Sequence, residues 1–143
     1  MNTQDGIALT GKLTISLNDE IVRETENLVV TAGKEWVTAR MKNTSTVMTH
    51  MAIGTGTVAA VVANTTLGTE LARQVLTTSG GTVAGAVITF ATSYAAGTGT
   101  GAITEAAILN AASAGTMLAR TVFGVVNKGA LDTMTISWAV TIS

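Results

Sequence analysis

The sequence contains no cysteine, no proline and a single histidine, His50. Without cysteine the chain forms no disulfide and offers no thiolate nucleophile, iron–sulfur ligand or common structural zinc site. One histidine is too few for a multi-histidine metal site, and the G-x-S-x-G motif of serine hydrolases is missing. These absences predict a chain that is not an enzyme and that uses no catalytic residue, cofactor or metal ion.

Charge is also scarce along the chain. Asp, Glu, Lys and Arg make up 12% of the 143 residues, about half of the usual share, and the formal net charge is −1. So small a net charge gives no overall field that attracts nucleic acid or an anionic membrane. A surface built mainly from Thr, Ser, Ala and Gly is poorly protected against self-association, which favours a subunit of an assembly.

The sequence predicts neither a signal peptide nor a membrane-spanning helix. Residues 1–10 carry Asp5 and lack a basic start followed by an apolar run. The uncharged segment 74–104 is interrupted by Thr, Ser and Gly, so it contains no apolar block long enough to span a bilayer. We therefore expect one domain over residues 1–143, folded in the cytoplasm of the cell that makes it, with residues 1–8 as a flexible N-terminal arm.

Alternation of apolar and polar residues recurs along the chain and predicts β-strands. KLTISL (12–17) alternates in this way, and so does the closing DTMTISWAVTIS (132–143). ITEAAILN and TMLARTVF, within residues 103–123, predict a hairpin whose turn contains Gly115, since glycine tolerates a positive φ. About eight such strands are expected. With no proline to protect edge strands, we expect loops or another subunit to cover the edges.

One segment changes period and predicts the single short α-helix. Between residues 31 and 41, apolar side chains recur at spacings of three and four. One helix among about eight strands predicts a mainly β protein, an antiparallel and jelly-roll-like β-sandwich. The expected core anchors of this sandwich are Trp36, Phe90, Phe123 and Trp138.

Glycine runs and acidic residues carry weaker functional patterns. The glycines of 54–56 and 97–101 lack the Lys and Ser or Thr of a phosphate-binding loop, so they predict tight turns. The acidic residues of 20–26 predict a solvated strand face. A glycosidase-like carboxylate pair with Glu70 or Glu105 is a rarer alternative.

Several segments together resemble a group of small virion proteins of tailed bacteriophages. They span residues 27–143 and are NLVVTAGKEWVTARM, MAIGTGTVAA with LGTELAR, ITEAAILNAASAGTMLARTVF, NKGALD and DTMTISWAVTIS. Some proteins of this kind are capsid decoration, or cement, proteins. The resemblance implies a β-sandwich on the outer capsid surface of the virion. It also implies a homodimer or homotrimer that clamps neighbouring subunits of the major capsid protein.

The capsid contacts are expected in segments outside the predicted strands, because such segments commonly carry binding residues. These segments are the N-terminal arm and the loop 55–66. The expected contact residues are Met1, Asn2, Thr3, Gln4, Asp5, Thr55, Gly56, Thr57 and Val58. Two alternative functions stay open: a tail or fibre component, and a receptor- or glycan-binding module of the virion.

Overall fold

The protein forms two antiparallel β-sheets with one helix beside them, as a computed structural model describes for residues 6–143. In chain order the elements are β1 (Leu9–Leu17), β2 (Glu20–Glu26), β3 (Leu28–Val29), α1 (Thr31–Met41), β4 (His50–Gly54), β5 (Glu70–Val75), β6 (Thr82–Ala84), β7 (Val87–Tyr94), β8 (Gly101–Leu109), β9 (Met117–Lys128) and β10 (Met134–Ile142). Sheet A has the strand order β2-β1-β10-β7-β6, and sheet B has the order β3-β9-β8-β4-β5.

The predicted antiparallel β-sandwich is confirmed, with ten strands in the described residues rather than about eight. The antiparallel pairs β1–β2, β4–β5, β6–β7 and β8–β9 each stay within one sheet, and the chain crosses between the sheets after β2, β5, β7 and β9. The two strands beyond the expected number are β3, with two residues, and β6, with three. Neither is long enough to show an alternating pattern in the sequence.

Strand β10 lies in the middle of sheet A, between β1 and β7. Its alternation is confirmed, since Met134, Ile136, Trp138 and Val140 are buried and the residues between them are not. Trp138 lies opposite Leu13 on β1 and Phe90 on β7. The closing strand of the chain therefore supplies a central row of the core.

Three of the expected core anchors, Phe90, Phe123 and Trp138, lie buried between the sheets. Trp36 lies on α1, where it is half-buried and packs against the edge of this core. Its indole Nε1 donates a hydrogen bond to the carbonyl oxygen of Thr46 at 2.7 Å. Trp36 therefore joins the helix to the loop that follows it.

The helix spans residues 31–41, as predicted, and packs on β9. Gly33 makes this contact possible, because a Cβ at this position would lie 2.0 Å from the carbonyl oxygen of Leu118. No helix in residues 6–143 is long and apolar enough to cross a membrane.

The central strands of sheet B, β4 and β8, are buried on both faces, unlike the strands of sheet A. Every residue of β8 from Ile103 to Leu109 is buried. A second apolar cluster lies on the outer face of this sheet, away from the main core, and consists of Val30, Ala52, Leu67, Ala107, Leu109 and Met117. The long connection between β4 and β5 covers part of this outer face through Leu67, and the start of α1 adds Val30 and Ala32.

Candidate docking surface

The connection between β4 and β5, residues 55–69, is named here the covering loop. It passes over the outer face of sheet B without a strand or helix of its own. Its Leu67 is buried in the second apolar cluster, while Val58, Val61 and Val62 are exposed, Val58 by 77%. One side of the covering loop therefore packs on the sheet, and the other presents apolar side chains to solvent.

Glu105, on β8, holds both ends of the covering loop. Its side chain is fully buried. Oε1 accepts hydrogen bonds from the backbone N–H groups of Gly56 at 3.1 Å and Thr69 at 2.8 Å, and Oε2 accepts one from Gly68 at 2.9 Å. One carboxylate thus brings together two chain positions that are more than ten residues apart.

Arg120, on β9, pairs with Glu105 and reaches the middle of the covering loop. Its Nη2 donates to Oε2 of Glu105 at 2.8 Å and to the carbonyl oxygen of Val58 at 2.9 Å. Its Nη1 donates to Oδ1 of Asn64 at 2.8 Å, and the same Oδ1 accepts the backbone N–H of Val61. The ion pair therefore fixes the part of the loop that carries the exposed valines.

The electrostatics of this pair favour the charged state of Glu105. Burial acts to raise the pKa of the Glu105 carboxyl, but the Thr69 N–H, the Arg120 guanidinium and the Gly68 and Gly56 N–H groups together hold that pKa below its ordinary value. At neutral pH the carboxylate stays ionised and its acceptor sites are filled by donors. The pair acts as a structural anchor, since no acceptor is left open for a substrate proton.

Glycines make room for the Glu105 carboxylate. A Cβ at Gly56 would lie 2.6 Å from Oε1, and a Cβ at Gly54 would lie 2.5 Å from the same atom. Neither glycine has a positive φ. The prediction that 54–56 forms a tight turn is wrong, because these glycines instead allow a close approach to a side chain. The run 97–101 does turn, with positive φ at Gly97 and Gly99.

The structure places the acidic residues of the glycosidase-like alternative in two different sheets. The segment 20–26 forms β2, at the edge of sheet A, whereas Glu70 and Glu105 belong to sheet B. Glu70 pairs with Arg73 at 2.6 Å, and Glu105 pairs with Arg120. The described residues contain no group of three or more His, Cys, Asp or Glu side chains placed to hold a metal ion.

Basic side chains elsewhere bind backbone carbonyl groups, a role that the sequence did not indicate. Lys128 is buried, and its Nζ donates to the carbonyl oxygens of Ala95 at 3.0 Å and Asp132 at 2.7 Å. Arg73 donates to the carbonyl oxygen of Ala111 at 2.9 Å. His50 lies on β4, with Nδ1 2.8 Å from the Thr49 hydroxyl. Lys128 and Arg73 therefore tie loops to the sandwich.

A groove of about 690 Å³ lies on sheet A, and its lining residues include no buried ion pair comparable to Glu105 and Arg120. Its polar lining includes Lys12 and Glu24, whose charged atoms are 3.6 Å apart and whose side chains are exposed. Exposed pairs of this kind are weak, and the residues lining the groove include no nucleophile activated by a neighbouring base.

The expected contact residues divide into two groups. Thr55, Gly56, Thr57 and Val58 begin the covering loop; Thr57 and Val58 are exposed, while the Gly56 N–H faces Glu105. Met1, Asn2, Thr3, Gln4 and Asp5 lie outside the described residues. Of the remaining arm, Ala8 exchanges two backbone hydrogen bonds with Ser143, at 2.9 and 3.0 Å.

The sequence contains a pattern that indicates the pairing of Glu105 with Arg120, and our sequence analysis missed it. Glu105 and Arg120 are single charges of opposite sign in the two apolar strands of one predicted hairpin. In the observed register Arg120 lies opposite Ala107, two residues from Glu105, which places the two charges diagonally on one face.

Comparison of the chain with protein-family models, curated proteins and solved structures found no match.

Proposed function

We propose that the chain is a non-enzymatic structural protein of a tailed-bacteriophage virion that decorates the outer capsid surface and bridges subunits of the major capsid protein. The observation that carries this proposal is the covering loop, which presents Val58, Val61 and Val62 to solvent while a buried ion pair holds it in place. The resemblance of residues 27–143 to small phage virion proteins supports the choice of partner.

A fixed apolar loop suits binding to a large, rigid partner. Ordering a free loop on binding would oppose association, whereas a loop that is already held loses little conformational freedom. A subunit that contacts two capsid subunits makes its second contact at roughly millimolar effective concentration, so each contact area can be modest. Homodimers or homotrimers would multiply this effect, and we propose such an oligomer as the bound form.

Copy number in the particle tests the location. Quantitative mass spectrometry of purified virions gives the molar ratio of this chain to the major capsid protein. A decoration protein is expected in a fixed ratio set by the capsid lattice. A handful of copies per particle would instead place the chain in the tail or in a fibre.

Substitution of the exposed valines tests the docking surface. The double variant Val58→Asp, Val61→Asp places two charges on the exposed side of the covering loop. We expect it to fold, as judged by circular dichroism, and to bind capsids that lack the native chain at much lower occupancy. The matched control is Val125→Asp, an exposed valine on β9, which should bind normally. Full occupancy by the double variant would exclude the covering loop as the contact.

A further inference from the structure

A crevice of about 250 Å³ opens between α1 and sheet A, and none of the covering loop's exposed valines lines it. Its walls are almost entirely apolar side chains, drawn from the helix and from both sheets. They include Trp36, Val37, Ile88, Phe90, Leu118 and Val140. The volume is slightly below the roughly 300 Å³ at which drug-sized ligand sites begin, so the crevice suits a small ligand.

Arg40 is the only charged residue that lines this crevice. Its Nη1 donates hydrogen bonds to Oδ1 of Asn43 and to the carbonyl oxygen of Ser45. These bonds orient the guanidinium, but neither partner carries a negative charge. No carboxylate of residues 6–143 forms an ion pair with Arg40. Arg40 therefore lines an apolar site, and it has no ion-pair partner among the described residues.

We propose that the crevice binds a small amphipathic anion, a medium-chain alkyl carboxylate, with its alkyl chain among the apolar walls and its carboxylate against Arg40. Apolar walls favour the alkyl chain, because burial removes it from water. A guanidinium presents paired N–H donors that match the two oxygens of a carboxylate. Because Nη1 is already held by Asn43 and Ser45, little side-chain freedom is lost on binding. This site is independent of the proposed virion role.

Calorimetric titration of the full chain with sodium octanoate tests the proposal, with octanol and butyrate as comparison ligands. Octanol keeps the chain length without the charge, and butyrate keeps the charge with a shorter chain. We expect saturable binding of octanoate, about tenfold tighter than that of either comparison ligand. Trp36 lines the crevice, so its fluorescence should change during the same titration. Equal affinity for octanol and octanoate would overturn the role of Arg40.

Three variants locate the binding. Arg40→Gln should weaken octanoate binding to the level of octanol and leave octanol binding unchanged. The matched control Lys42→Gln removes a neighbouring exposed charge that does not line the crevice, and it should bind octanoate normally. Val37→Phe adds bulk inside the crevice, so it should abolish binding of both ligands and provides a test that does not alter Arg40. Unchanged octanoate binding by Val37→Phe, or no saturable binding by the native chain, would overturn the proposal.

Discussion

An ion pair on the outer face of sheet A differs in distance and in exposure from the ion pair beneath the covering loop on sheet B. On sheet A, Lys12 and Glu24 lie 3.6 Å apart, with side chains 63% and 50% exposed. On sheet B, Arg120 and Glu105 lie 2.8 Å apart, with side chains 2% and 0% exposed. The first pair stands in water, whereas the covering loop encloses the second.

This difference shows that charged residues have two different structural roles in a chain that contains few of them. An exposed pair adds at most about 1 kcal/mol to stability, because water screens it and both side chains lose freedom. A buried pair fixes geometry, because either partner left alone becomes an unpaired charge in the interior. On sheet B that geometry is the position of the covering loop. Within residues 6–143, the outward side chains of the corresponding face of sheet A are partly or fully exposed.

The largest expected effect comes from breaking the buried pair. Glu105→Ala leaves the Arg120 charge buried and removes the acceptor of three backbone N–H groups. We expect a loss of about 3–5 kcal/mol in the free energy of unfolding, measured by urea denaturation. The matched variant on sheet A, Glu24→Ala, should lose less than about 1 kcal/mol. Similar losses in the two variants would remove the distinction between the two faces.

A single methyl group on the covering loop should have the next largest effect. In Gly56→Ala the new Cβ would lie 2.6 Å from Oε1 of Glu105, so either the loop or the carboxylate has to shift. We expect a loss of about 1–3 kcal/mol, as for overpacking of a core. Ser137→Thr adds a methyl group on an exposed position of β10, and it should change stability by less than about 0.5 kcal/mol. Thermal unfolding of both variants checks this, and a neutral Gly56→Ala would show that the loop moves freely.

The same contrast explains which parts of the fold the sequence could predict. Strand β10 alternates because one face packs on the core and the other meets solvent, so its pattern is visible in the letters alone. Strand β8 is buried on both faces. Its apolar sequence predicts a strand, but it does not indicate which segment packs on the second face. The sequence does predict a loop at 55–66, within the covering loop. Its anchor depends on the register between β8 and β9, which only the folded structure supplies.

Acid should weaken the anchor of sheet B selectively. The lowered folded-state pKa of Glu105 means that its carboxylate stabilises the fold above its ordinary pKa of 4.5, and this contribution is lost as pH falls through the folded-state value. We expect the urea midpoint of the native chain to drop below pH 4.5 more steeply than that of Glu105→Gln. Asp132 also has a lowered pKa, from hydrogen bonds with Asn18 and the Gly129 N–H, so Asp132→Asn is the control that keeps the Glu105 contribution. Parallel pH profiles for the native chain and Glu105→Gln would contradict this assignment.

The smallest expected effect is the coupling free energy between Lys12 and Glu24, the exposed pair on sheet A. Its measurement gives the most direct comparison with the buried pair on sheet B. A double-mutant cycle of Lys12→Ala and Glu24→Ala isolates the interaction between these two side chains from their other contacts. We expect a coupling of about 0.2–1 kcal/mol that disappears in high salt, because both side chains are solvated. The parallel cycle with Glu105→Ala and Arg120→Ala should give a larger coupling that salt leaves nearly unchanged, since the covering loop keeps ions away from that pair. A salt-sensitive coupling on sheet B would mean that the covering loop opens in solution, and a loop that opens could not serve as a fixed docking surface.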